Sequence, residues 1–263
     1  MKKYLAISAN RIKEDLTYRE HFFTLIIMTA VYCVVLYFIW KAIYGANGTL
    51  NGMTFEQSYV SMVLTFAMLR VVSNGVEWDM CFGMIEGSII VDMVRPLDYM
   101  WYQMSQSAGM AGTNTLVLAL PGTLILYFMF PGQIHVGMNM LFFIPCLILS
   151  FMCQFFLCFT IGVITFYTES VWGISTILDI ISGFFAGSEV PLAFFPGWLL
   201  VAANVLPFKA MYNAPVKMLM DKTLGISDYM ITTGVLALWT IGLYALSQVT
   251  YGVMKKKIVI NGG

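Results

Sequence analysis

Between Tyr99 and Thr168 the chain carries no Asp, Glu, Lys or Arg. A water-soluble domain is about one-quarter charged, whereas this chain is 11% charged with a mean hydropathy of +0.80. An uncharged stretch of 70 residues is too long for one helix and too greasy for a solvated loop. In lipid every backbone N–H and C=O must be paired within its own segment, and about 20 apolar residues in helix cross the hydrocarbon core. The stretch must therefore be cut into spans, and the cut is written at Pro131-Gly132-Gln133-Ile134-His135.

The same reasoning, applied to the whole chain, predicts an all-α integral membrane protein: one transmembrane domain, 1–263, with six transmembrane helices. The spans are 22–44, 57–76, 105–130, 138–166, 171–188 and 229–254. The first is too long for the apolar part of a signal peptide and follows a polar stretch, so it is read as retained. Within 189–215 the stretch 190–208 is also uncharged, but Pro191, Pro196, Gly197 and Pro207 break it into short helices. Charge decides their placement. With six spans, Lys2, Lys3, Arg11, Lys13, Arg19, Arg95 and Lys255 to Lys257 share one side, against Lys41, Lys209, Lys217 and Lys222 on the other. Nine against four follows the positive-inside rule, and a seventh crossing would break it. Both termini are expected in the cytoplasm and 189–215 as re-entrant short helices on the outer face.

Two further elements are expected on the cytoplasmic side. In 3–20, Leu5, Ala9, Ile12 and Leu16 recur at helical spacing while charged residues take other faces, which predicts an interfacial amphipathic helix. Between the second and third spans, 83–97 has mixed polarity and helical length, and Pro96 disfavours helix at Arg95. The five cysteines form no Cys-x-x-Cys pair and read as small buried hydrophobes. His135 reads as a solvated loop residue, and the boundary aromatics Trp40, Tyr44, Trp101, Tyr102, Trp198 and Trp239 as an interfacial belt. No metal-ligand cluster, nucleophile elbow or other catalytic site is visible, and zero net charge gives no pull toward nucleic acid.

The segment Ile85-Glu86-Gly87-Ser88, followed by Val94-Arg95-Pro96-Leu97, resembles the cytoplasmic coupling region of ABC-2 type transporter permeases. Gly187, Pro191-Leu192, Pro196-Gly197-Trp198 and Leu206-Pro207-Phe208, with Tyr212 and Pro215, resemble that family's pattern before the last span. The resemblance implies a permease subunit of an ATP-driven exporter, forming half of the solute path in the cytoplasmic (inner) membrane. It implies a second permease, identical or related, and two copies of a cytoplasmic ATPase. There is no Gly-Lys dipeptide and hence no Walker A loop, so this chain binds no cofactor of its own, and ATP and Mg are expected on the partner. The resemblance assigns ATPase coupling to Ile85, Glu86, Gly87, Asp92, Arg95 and Pro96, and an outer re-entrant gate to Gly187, Pro191, Pro196, Trp198, Pro207 and Phe208.

Arg70 and Asp179 are the charges set well inside spans. Their distances from the inner ends, ~10 Å and ~13 Å at 1.5 Å per residue, allow an intramembrane charge pair, with a subunit-interface or pathway role as the alternative. The other function class is a stand-alone secondary transporter or channel, which tends to show inverted repeats or spans broken near the midplane. No clear repeat is visible here.

Overall fold

A computed structural model describes residues 2–17, 19–45, 48–168 and 170–261, with the side chains of 19–22 and 256–261 left aside. Helix dominates. Helix α1 (Lys2–Thr17) is followed by α2 (Arg19–Tyr44), a two-strand hairpin of β1 (Thr49–Leu50) and β2 (Met53–Thr54), and α3 (Phe55–Val72). Thr54 caps α3 with a reciprocal capping box to Gln57, which satisfies two orphan N–H groups at a membrane entry. The second span does not end at 76. It breaks at Ser73 to Gly75 and resumes as α4 (Val76–Ile85), followed by the short α5 (Ser88–Val94).

Helix α6 (Tyr99–Asn114) passes through a wider turn at Thr115–Ala119 into α7 (Leu120–Met129), so the third helix starts six residues before 105. Then come α8 (Asn139–Thr168), α9 (Trp172–Ala186), a turn at Leu192–Phe194, α10 (Gly197–Val205), a wide turn at Lys209–Asn213, α11 (Ala214–Met220) and α12 (Ile226–Asn261). Among the described residues, five helical stretches are long and apolar enough to cross a membrane, and α9 is a shorter apolar helix.

Helix α8 is the central pillar, with Phe155, Phe156, Phe159, Cys153 and Cys158 all at most 2% exposed. It packs along α12, and the order of contacts sets their relative direction. Phe142 stacks with Tyr229 and Phe159 meets Tyr251, while Cys146 contacts Thr233 between them. Residue numbers rise together, so the two helices are parallel and start at the same face. The segment between them must return across the whole thickness. Helix α9 makes most of that return: its 15 residues span about 22 Å, short of the roughly 30 Å core, and the residues after it complete the climb.

The termini define one face. Tyr251 near the end of α12 stacks on Tyr99 at the start of α6, and α1 lies on the same part of α6. Ser8 Oγ donates to the Ser105 carbonyl at 2.7 Å, and Thr113 donates to Asp15. The side of α1 turned to α6 therefore carries Ser8, Arg11, Ile12 and Asp15. Leu5 and Leu16 are exposed, so the apolar stripe read from the sequence is split, with Ile12 alone packed on α6 near Gly112. Trp40 and Tyr44 are 5% and 2% exposed. They are packed, not belt residues: Trp40 Nε1 donates to the Glu189 carbonyl and Tyr44 bonds Ser58.

At the opposite face the chain dips back in. His135 N donates to the Leu219 carbonyl at 2.7 Å, and Asn139 Nδ2 to that of Met218, also at 2.7 Å, so the end of α11 sits beside the start of α8. Ser150 Oγ, however, donates to the Met211 carbonyl, about 16 Å further along α8 at 1.5 Å per residue. Helix α10 thus runs inward and α11 outward, with the turn at 209–213 at mid-depth.

Candidate functional site

Three sets of residues stand out, at the face of the termini, around the re-entrant turn and in a cavity between helices. The first is at the face of the termini. Glu86 closes α4, Gly87 takes a left-handed conformation (φ +76°) that residues with a Cβ avoid, and α5 leaves in a new direction. Ile89 is buried beneath α5, whereas Ile85, Ile90, Val91 and Val94 are 61–78% exposed. Arg95 anchors the far end: it pairs with Asp92 at 3.2 Å, donates to Tyr102 Oη at 2.8 Å and lies over the Tyr102 ring. Pro96 is exposed where the helix stops. The six residues read as coupling positions thus share one short helical corner, with an outward apolar row beside an acidic edge of Glu86 and Asp92.

The second set surrounds the re-entrant turn. Gly187 ends α9 at φ +84°, and a Cβ there would come within 3.2 Å of Leu192 and 3.5 Å of Asn213. Pro191, Pro207 and Phe208 are buried, Pro196 precedes α10, and Trp198 points outward at 74% exposure. Gly187 and Asn213 meet. Trp198 stands apart from them, on the outer side of α10.

The third set is a cavity of about 240 Å³ between α2, α3, α8 and α9, closed on one side by Ser188, Glu189 and Tyr212. Arg70 and Asp179 both line it, but no ion pair joins them: the ion pairs among the described residues are Arg11–Asp15 and Arg95–Asp92. The charge-pair expectation is corrected to two charges facing one cavity. The guanidinium of Arg70 stacks on Phe66 instead, 4.9 Å from the ring centroid. Glu189, absent from the sequence reading of the site, adds a second carboxylate.

A row of buried polar side chains runs from this cavity toward α4. Tyr212 Oη donates to Gln154 Oε1 at 2.8 Å, and Gln154 Nε2 donates to Cys158 Sγ at 3.2 Å. Further along, Ser175 Oγ donates to Glu77 Oε1 at 2.9 Å and accepts from Trp78 Nε1. Glu77, expected in the cytoplasmic loop, is 5% exposed and packed against α8, where a Cβ on Gly162 would touch its backbone. Asn213 Oδ1, beside Gly187, has no hydrogen-bond partner among the described residues. Nothing in the spacing of Glu77, Gln154 or Glu189 marks them; only the packing of α4, α8 and α9 does.

No curated protein matches the chain. A family described as ABC-2 family transporter protein matches residues 30–258, nearly the full length and all of the helices that build the cavity, and the chain belongs to that family: it is a membrane permease of an ABC-type transport system.

Proposed function

We propose that the chain is one permease half of an exporter in the cytoplasmic membrane, paired with a second permease, identical or related, and driven by two copies of a separate cytoplasmic ATPase that carries the ATP and Mg. One observation carries this reading. Arg70, Asp179 and Glu189 are exposed on a lateral face of the chain, level with Gln154, which lies about 22 Å along α8 at 1.5 Å per residue. Left against lipid, each charge would cost about 2.5–3.5 kcal/mol. Charges at such depth belong beside water or protein. A second permease laid against this face would enclose the cavity as an aqueous path.

The corner at Gly87 suits the energy input. Its apolar row of Ile85, Ile90, Val91 and Val94 offers a dry ridge for a groove on the ATPase, and Glu86 and Asp92 give the ridge its charge. Helix α4 continues from that corner to Glu77, which meets α9 through Ser175; α9 lines the cavity and leads to Gly187 and the re-entrant turn. Movement of the corner would therefore reach both the path and the outer gate.

Affinity purification in mild detergent is expected to retain an ATPase and a second permease subunit. Ile90→Asp with Val94→Asp should release the ATPase while leaving membrane yield within twofold. Transport in ATP-free liposomes by the chain alone would overturn the reading in favour of a stand-alone transporter.

A further inference from the structure

We propose that the 240 Å³ cavity binds a dipolar group of the exported solute, an ammonium carried a few bonds from an oxyanion, with Asp179 and Glu189 receiving the ammonium and Arg70 the oxyanion. The inference deepens the permease reading and rests on it. Its volume equals about eight waters at ~30 Å³ each, too large for a bare ion and right for a small polyatomic head group. The signs are divided between walls, Arg70 on α3 against Asp179 on α9 and Glu189 just beyond it. They do not collapse into a pair. A simple anion entering here would meet two carboxylates, and a simple cation would meet the guanidinium. A dipolar group satisfies both walls at once. Arg70 can offer its planar fork of donors to a phosphate or carboxylate while its face rests on Phe66.

The neutral lining points the same way. Ser182 is 3% exposed and lines the cavity beside Tyr212, where its hydroxyl adds a polar group to the wall. Tyr212 and Tyr32, held by hydrogen bonds to Gln154 and the Ser188 carbonyl, complete that wall.

The test is equilibrium binding, without ATP, to the purified complex. The probes are radiolabelled lysophosphatidylethanolamine and free phosphoethanolamine, compared with dodecylamine (cation only) and lysophosphatidate (anion only). At least one dipolar probe is expected to bind tenfold or more tightly than either single-charge probe. Asp179→Asn with Glu189→Gln should weaken that probe at least tenfold without weakening lysophosphatidate. Arg70→Gln should weaken it equally while sparing dodecylamine, and Asp179→Glu should retain binding. Equal affinity for free phosphoethanolamine would identify a soluble solute; binding of the acylated form alone would identify a lipid head group. A single-charge probe that matches the dipolar ones, variants that stay within twofold, or no saturable binding would each overturn the inference. Binding without a retained ATPase would sink the exporter reading alone, and an ATPase retained without binding would sink this inference alone.

Discussion

A glycine is the point at which the first helix meets the bundle. A Cβ on Gly109 would lie 2.6 Å from Arg11 Cβ and 2.7 Å from the Ser8 carbonyl, both close to the backbone of α1 and unable to swing aside. Overpacking of this kind costs about 1–3 kcal/mol. Gly109→Ala is therefore expected to lower the melting temperature of the detergent-purified protein. Gly112→Ala should do so less, because it meets the flexible end of Ile12 at 3.1 Å. The comparison of the two melting curves checks the contact. His135 makes a second case. Burial first, then nearby Lys222, hold its pKa below the ordinary 6.5, so the folded chain favours the neutral ring. That contribution is complete above pH 6.5 and is lost as pH falls through the depressed folded value. Between pH 7 and 5 the melting temperature of the wild type should fall more than that of His135→Asn, measured side by side. Asp221, held below 3.8 by two hydrogen bonds from Thr223, stays ionised throughout this window.

At the scale of the elements, the parallel pairing of α8 and α12 governs the topology, because it obliges 169–225 to return across the membrane. Cys146 Sγ lies 3.2 Å from Thr233 Oγ1. Thr233→Cys should therefore cross-link to Cys146 on mild oxidation, seen as a mobility shift on a non-reducing gel. An antiparallel pair would place residue 233 near the other end of α8 and give no such product. The apolar helices themselves were legible in the sequence because lipid leaves their backbones no choice but helix. The break at Ser73 to Gly75 was not, since no proline marks it and Asn74-Gly75 also occurs in ordinary turns. The early start of α6 was hidden for a different reason. Tyr99, Met100 and Gln103 are semi-polar positions whose burial comes from α12 and α8, not from lipid.

For the whole molecule, the expected sidedness is directly measurable. Ile90→Cys in an otherwise cysteine-free chain should react with an impermeant thiol reagent only from the cytoplasmic side, and Asn51→Cys only from outside. The reverse pattern would place the coupling corner where no cytoplasmic ATPase could reach it. The arrangement is also what the proposed partners would complete. Its charged cavity opens laterally, and its apolar corner at Ile90 to Val94 is left uncovered by the described residues.

The sequence alone determined that this protein is a bundle of membrane helices, and where proline and glycine break 189–215 into short helices. Those properties follow from local hydropathy, backbone pairing and the limits that proline sets on a helix. The tertiary structure alone decided that Arg70 faces Asp179 and Glu189 across a cavity without pairing, that Glu77 is buried, and that the turn at 209–213 reaches mid-depth. These depend on how each helix is rotated about its axis and set in height. Rotation and height are chosen by close contacts such as Gly162 against Met80 and Ser150 against Met211, between residues far apart in the chain.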